Sequence, residues 1–416
     1  MHILIIHQAF TSLNEPGGTR HYEFARLLAS RGHHVTIIAS PISYLTGTSL
    51  RLPPFRDEMG GKREGGGVMI LRASTYDAHH RSFMHRVIAF VYFMFSSFWL
   101  GLRVKNVTLV WGTSPPIFQG IAAWTLSKVK RVPFLFEVRD LWPQFAIAVG
   151  VLKNPVLIRL SEWLERFLCR GADRVMVNSP GFVEHVKSRG AKQVDLIPNG
   201  SDPSMFDPWD DGIEFRREHG LQEKFVVMYA GAHGMSNDLG IVLESAIMLA
   251  KDPEIQIVLV GDGKEKAALQ ARAREMELGN VSFLPSLPKA EMPHALAAAD
   301  ACLAILKPLE EYKRTYPNKV FDYMAAGRPV VLAIDGVIRD VVEAADCGLF
   351  ARPGDSTALA EVIMSLAKNK EKSRQMGLNG RKHLERNFSR EQVGGQLIQL
   401  LAEMGGRKGK EVEDEQ

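Results

Sequence analysis

Cysteine is scarce. Cys169, Cys302 and Cys347 stand far apart in 416 residues, with no CxxC pair among them. That excludes a disulfide framework, argues against a structural zinc site and fits a reducing compartment. No basic segment leads into a cleavable apolar stretch near Met1, so no signal peptide is visible. The uncharged, mostly apolar stretch at 87–102 has 16 residues, short of the about 20 a spanning helix needs. No GxGxxG follows a strand-like run: the stretch Gly261-Asp262-Gly263 lacks the third glycine. This disfavours a nicotinamide dehydrogenase. Asp210-Asp211 lacks the strand-end setting of a metal-binding DxD, and no short repeat is evident.

What is present is ordinary in bulk: 46% hydrophobic and 24% charged residues, as in soluble globular proteins. The length suits two domains, each with a sizeable core. The net charge of +4 conceals an asymmetry. Residues 1–200 hold 24 Lys+Arg against 13 Asp+Glu, the remainder 27 against 34. A basic N-terminal half suits an anionic partner, a phosphate or a membrane surface rather than nucleic acid; scattered solvated charge is the plainer alternative.

Periodicity gives a strand at 2–7, a loop with Pro16, Gly17 and Gly18, a helix at 19–31 and a strand at 34–39, the beginning of a parallel α/β sheet. Strands at 108–111, 133–137, 174–177 and 194–197 and a helix at 156–168 follow. The turn-rich Pro198-Asn199-Gly200 marks the boundary between a domain at 1–200 and one at 201–390. The second repeats the pattern, with strands at 225–230, 255–260, 281–284, 301–306 and 330–333 and helices at 239–250, 264–276 and 319–326. Residues 391–416 read as a C-terminal helix and charged tail, frayed from 405 onward. Two doubly wound Rossmann-like sheets predict a cleft between the domains, with ligands at the carboxyl ends of the strands. The aromatic-rich helix expected near 83–104 is flanked by Arg81, His85, Arg86, Arg103 and Lys105. It reads as an interfacial membrane helix or as one packed on the N-terminal sheet.

Gly17 and Gly18 open the first helix, where a close backbone and the helix N-terminus favour an anion; a plain loop gives the same pattern. Lys319 stands at a predicted helix start, unfavourable beside the positive dipole end unless an anion is present. Asp322 follows one turn on, so the two suit a phosphate and a ribose, or else a local ion pair. Arg139 and Asp140 follow a buried strand where a cleft is expected, Asp140 placed to orient a hydroxyl or to cap the next segment. His233 follows Gly231 in a strand-end loop, either a phosphate or sugar donor or a bland loop residue.

Taken in order, the Gly17-Gly18 loop, Arg31-Gly32-His33-His34-Val35, Pro198-Asn199-Gly200, Gly261-Asp262-Gly263 and the block Met324-Ala325-Ala326-Gly327-Arg328-Pro329-Val330 resemble the family-4 retaining glycosyltransferases of the GT-B fold over roughly residues 1–400. Arg139-Asp140-Leu141-Trp142-Pro143, Thr113-Ser114-Pro115-Pro116 and Pro317-Asn318-Lys319 resemble more narrowly an N-acetylfucosaminyl-transferase-like subgroup of bacterial surface-polysaccharide synthesis. The resemblance implies a retaining transferase acting without metal or cofactor, on a nucleotide-sugar donor, here a UDP-sugar, and a polyprenyl-diphosphate-linked or saccharide acceptor. It also implies a peripheral place at the inner face of the cell membrane. Arg139, Asp140 and Lys319 are then the catalytic candidates. Gly17, Gly18, His233, Gly261, Lys319 and Asp322 are the donor-binding ones, with the backbone at 284–287 framing the base. The chain departs from the pattern in three places, the first being the family's His near the donor sugar in the first domain, whose nearest counterpart here is Asp140. The loop from Gly231 to Asp238 lacks the family's Arg and Lys, and of the two glutamates eight apart one falls at Arg314 and the other at Asp322. A GT-B-fold UDP-sugar 2-epimerase and a non-catalytic sugar-binding module are the rival readings.

Overall fold

The computed structural model describes residues 1–43, 47, 55–57, 67–77 and 83–413. The chain divides into two compact units. One comprises Met1–Thr11, Thr19–Pro198 and Val393–Gln416; the other comprises Ser12–Gly18 and Asn199–Gln392.

Among the described residues of the first unit eight strands form one sheet: β1 (His2–Ile6), β2 (His34–Ala39), β3 (Phe55–Asp57), β4 (Gly67–Arg72), β5 (Leu109–Ser114), β6 (Phe134–Val138), β7 (Arg174–Val177) and β8 (Val194–Leu196). Their order is β3-β4-β2-β1-β5-β6-β7-β8. All neighbours are parallel except the short β3 against β4. The order runs outward in both directions from β1, so the switch point lies between β1 and β5. Helices α1 (Arg20–Ser30), α2 (Phe83–Arg103), α3 (Phe118–Lys130), α4 (Gln144–Ala148) and α5 (Pro155–Gly171) provide crossovers and cover. α5 begins cleanly because the Asn154 side chain accepts from the amides of Val156 and Leu157 and Pro155 takes the first helical position. α2 is longer than its apolar run, since the residues from Phe83 to Arg86 form its first turn. Arg81, read as part of its basic flank, lies outside the described residues.

The second unit holds β9 (Phe225–Ala230), β10 (Ile255–Val260), β11 (Val281–Leu284), β12 (Ala301–Ile305), β13 (Val330–Ala333) and β14 (Gly348–Phe350). They form an all-parallel sheet in the order β11-β10-β9-β12-β13-β14. β9 and β10 are buried along their whole length, which is why they read as unbroken apolar runs rather than alternations. The switch point lies between β9 and β12. Both units are therefore Rossmann-like α/β folds. The tail expected to fray from 405 is instead the last part of a helix, Arg390–Glu413. Leu397, Leu400, Leu401 and Met404 bury one side of that helix, a periodic stripe that outweighs the glycines beyond it.

Candidate active site

In the second unit the chemistry gathers at the carboxyl ends of β9 and β10. These strands run in register, Ala230 opposite Val260, so the loops Gly231-Ala232-His233 and Gly261-Asp262-Gly263 lie side by side. The Gly231 amide donates to Val260 O at 2.9 Å, the His233 amide to Asp262 O at 2.8 Å and the Glu265 amide to His233 O at 2.9 Å. Glycine is required here by contact: a Cβ on Gly261 would overlap the Gly231 carbonyl, and one on Gly263 would meet His233 O at 2.5 Å. Lys266, overlooked in the sequence, ties the second loop to the end of β11, its Nζ donating to Gly261 O at 2.7 Å and Leu284 O at 2.9 Å.

Among the described residues, two polar side chains within this frame have no hydrogen-bond partner. The His233 ring is fully buried between the Tyr229 and Phe283 rings, and neither ring nitrogen is bonded. Burial, and secondarily Lys266, push its pKa down to about 4, so it is a neutral imidazole. Lys319 lies in the first turn of helix Asn318–Ala325. Its Nζ is shielded from solvent, sits 3.8 Å from the Tyr229 ring centroid and has no acceptor. Burial pushes this ammonium down to about 7. A cation–π contact alone offsets only part of the cost of burying a cation. Asn318 Oδ1, beside it in sequence, is a fourth buried atom without a partner among the described residues.

Asp322 does not join Lys319. Lys289 Nζ reaches Asp322 Oδ1 at 2.6 Å, and Ser201 Oγ donates to the same oxygen at 2.7 Å. Only Asn318 Nδ2, at 3.5 Å, faces Oδ2. The local ion pair, the alternative reading for Lys319 and Asp322, thus gives way to a longer-range one, because Lys289 is buried and needs a carboxylate. The Ser12–Gly18 loop belongs with this unit, the Ala290 amide donating to Leu13 O at 3.1 Å. A Cβ on Gly18 would meet nothing within 4 Å.

The first unit places its polar groups at the carboxyl ends of β1, β5 and β6. Glu137, overlooked as a functional group although it interrupts the apolar strand Phe134–Val138, is fully buried. It accepts from Arg20 Nε at 3.1 Å, His21 Nε2 at 2.5 Å and Trp111 Nε1 at 3.1 Å. Burial opposes its ionisation, but the bonded His21 and the Arg20 guanidinium outweigh it and hold Glu137 well below the usual carboxylate range. Arg20 also donates to Pro198 O at 2.6 Å and Ile197 O at 2.7 Å. The His7 ring packs 4.2 Å from that of His21, and burial lowers both. Arg139 is committed to the end of β5, its Nε donating to Thr113 Oγ1 at 2.7 Å and Nη2 to Pro115 O at 3.0 Å. Asp140 beside it is pushed up to about 7 by burial, with Arg139 opposing the shift. That places its proton exchange near neutrality. Among the described residues no group of three His, Cys, Asp or Glu side chains suits a metal ion.

Comparison with known proteins fits this geometry. Residues 17–200 match the Glycosyl transferase 4-like domain, and residues 211–383 match Glycosyl transferases group 1. A putative colanic acid biosynthesis glycosyl transferase, WcaI, of Escherichia coli K12 is 24% identical over 75% of this chain and 78% of its own. For several other curated relatives the chain spans only about half of their length. Sucrose-phosphate synthase from Thermosynechococcus elongatus superposes with a TM-score of 0.76 at 19% identity, covering 97% of this chain and 99% of that one. HepE of Anabaena, solved in complex with UDP, superposes with a TM-score of 0.68 at 18% identity, covering 97% and 100%; the same protein was also solved with UDP-glucose. With both halves matched in chain order and both sheets of the required topology, the chain belongs to the GT-B glycosyltransferases, a 4-like domain followed by a group 1 domain.

Proposed function

We propose that this glycosyltransferase moves a sugar from a nucleoside-diphosphate sugar, a UDP-sugar, to a polyprenyl-diphosphate-linked or saccharide acceptor with retention of anomeric configuration. Its setting is surface-polysaccharide synthesis of the N-acetylfucosaminyl-transferase-like kind, at the cytoplasmic face of the membrane. One observation carries the donor assignment: among the described residues Lys319 is a buried cation with no anionic partner, beside loops whose backbones glycine lets pack in direct contact. A diphosphate supplies the missing charge.

In this reading Lys319 and the amides of the glycine loops neutralise the diphosphate as the bond from the anomeric carbon to its phosphate oxygen breaks. His233, being neutral, donates a single N–H. Asp322 Oδ2 accepts from a ribose hydroxyl, its other oxygen staying with Lys289 and Ser201. The acceptor oxygen bonds to the anomeric carbon on the face the phosphate leaves, and its proton passes to the departing phosphate oxygen. The first domain selects the acceptor, with Asp140 accepting from an acceptor hydroxyl and Arg139 holding the β6 end in place through Thr113. No metal or cofactor enters this scheme. The matched family models describe transferases, which favours this reading over a UDP-sugar 2-epimerase.

The test is to incubate the protein with UDP-, GDP- and dTDP-sugars, with and without a polyprenyl-diphosphate-sugar acceptor, in EDTA. Nucleoside diphosphate release is measured, and the anomeric configuration of the product is read by NMR. Acceptor-dependent UDP release with a retained anomeric centre is the expected result. Isomerised UDP-sugar without acceptor would instead establish the epimerase, and binding without turnover a sugar-binding module.

A further inference from the structure

α2 is apolar on two opposite faces, and only one of them is used inside the protein. Ala89, Phe93, Ser97 and Gly101 recur every fourth residue and are buried. Gly101 lets α3 approach closely, since a Cβ there would meet Leu126 Cδ1 at 2.5 Å. Lys130 of α3 fixes the end of α2 by donating to Leu102 O at 3.2 Å and Val104 O at 2.6 Å. On the outer face Met84, Ile88, Tyr92, Phe95 and Trp99 follow at helical spacing and are 50–63% exposed. A helix packed as ordinary cover for a sheet has no use for that second stripe.

The stripe has a counterpart on α5. Val156, Leu160 and Trp163 recur at helical spacing and are 56–62% exposed. The two helices are joined through α3. Trp163 stacks on Phe167 with ring centroids 5.6 Å apart, Phe167 meets Trp124 of α3 at 4.7 Å, and Phe118 of α3 stacks on Phe90 of α2 at 6.3 Å.

Charge identifies the occupant. Residues 78–136, which include α2 and α3, contain 7 Lys+Arg and not one Asp or Glu. The carboxylates of α5 are engaged by their own neighbours: Glu165 pairs with His185 at 2.6 Å and Arg189 at 2.9 Å, and Glu162 with Arg166 at 3.4 Å. Lys153, Arg159 and Arg170, in contrast, are exposed. Aromatic and aliphatic stripes bordered by cations suit a surface of acyl chains beneath phosphates.

Met84–Arg103 is long and apolar enough to cross a membrane. Topology excludes crossing, because α2 links β4 to β5 within one sheet and packs along α3. A bilayer crossed by α2 would have to admit α3 and the sheet as well. We propose that α2 and α5 together form a docking surface that lies flat on an anionic lipid bilayer, the two stripes inserted at the headgroup boundary and the cations at phosphate level. The inference rests on the peripheral location proposed above and names the surface responsible.

Co-sedimentation of the full chain with vesicles tests it, using phosphatidylcholine alone or mixed with phosphatidylglycerol. The unaltered protein is expected to bind the mixed vesicles and to release in high salt. Phe95→Glu/Trp99→Glu in α2 and Leu160→Glu/Trp163→Glu in α5 are each expected to lower the bound fraction at least about tenfold. UDP binding, measured on every variant, reports on the second unit and separates loss of the docking surface from failure of the donor reading. The conservative Trp163→Phe covers the case in which the charged variants do not fold: it should remove part of the tryptophan quenching by brominated lipids. Unchanged quenching, or full binding by the α5 variant, would overturn the role of α5. Equal binding to both vesicle types would overturn the charge argument. A dimer in solution dissociated by the same substitutions would assign the surface to a second copy of the chain.

Discussion

The two units solve the problem of a buried charge in opposite ways. In the first, Glu137 is surrounded by donors from α1 and β5, and its guanidinium partner Arg20 also binds two backbone carbonyls. Both charges are matched from within the chain, although among the described residues His21 Nδ1 and the two ring nitrogens of the adjacent His7 have no hydrogen-bond partner. In the second, Lys319 is enclosed without an acceptor and rests on an aromatic face. A satisfied buried charge holds a fold together, whereas an unsatisfied one is tolerated where something else supplies the counter-charge. The contrast separates architecture from site inside one chain, and it can be broken from either side.

The largest effect should come from the satisfied side. Glu137→Ala leaves Arg20 buried without its carboxylate, and removing one partner of a buried pair costs roughly 3–5 kcal/mol. Urea unfolding of the first unit should shift by that amount while UDP affinity is retained. If stability is unchanged and turnover alone falls, Glu137 belongs to the site and the contrast fails.

Lys319→Met should do the reverse. Activity should fall at least about a hundredfold, the scale for removing one electrostatic donor from a transition state, while the ligand-free protein becomes more stable. The sign follows from linkage. In the unfolded chain this lysine keeps its proton up to the ordinary lysine value of 10.5, in the folded protein only up to about 7. Between those values the unfolded state binds the extra proton, so the cost of Lys319 is complete below pH 7 and is relieved as pH rises toward 10.5. The stabilisation by Lys319→Met, read as a difference in melting temperature from the unaltered protein, should therefore be larger at pH 6 than at pH 9. Binding of UDP near pH 8 should take up a proton in the unaltered protein and not in the variant, as titration calorimetry in buffers of different ionisation enthalpy would show. A uniform gain across pH would mean that Lys319 carries no buried charge.

Much of this was legible in the sequence because parallel strands buried on both faces are written as apolar runs. Residues 225–230, 255–260 and 330–333 fall where the runs place them. Lys319 was legible too, since a cation at a helix start conflicts with the dipole. What escaped depends on distance along the chain. Nothing local marks Lys289 as the partner of Asp322, 33 residues on, or ties Arg20 and His21 to Glu137 more than a hundred residues away. Glu137 did leave a signal, a carboxylate inside an otherwise apolar strand, as did Arg20-His21 directly after the glycine loop. Lys266 is the first residue of its helix, the same signal as Lys319, and its engagement by two carbonyls shows why that signal alone does not separate a brace from a binding group.

Asp322 lies between the two classes, one oxygen satisfied and the other facing only Asn318 at 3.5 Å. If Oδ2 accepts from a ribose hydroxyl, the unaltered protein should prefer UDP over 2′-deoxy-UDP by about tenfold, the worth of a hydrogen bond to a charged group. Asp322→Asn should erase that preference. Equal affinities in the unaltered protein would make Asp322 simply the counter-ion of Lys289.

The smallest substitution probes whether space, like charge, distinguishes site from architecture. Gly261 is fixed by contact, since a side chain there collides with the Gly231 backbone. At Gly18 a methyl group would touch nothing within 4 Å. Gly18→Ala should thus leave stability within about 0.5 kcal/mol, the range of substitutions that disturb no packed feature. A ligand phosphate drawn close to the Gly18 amide would meet that methyl group, and the Michaelis constant for the donor should then rise severalfold at unchanged melting temperature. If donor kinetics do not move, Gly17-Gly18 is a plain loop and the anion is held by the Lys319 side of the second unit alone.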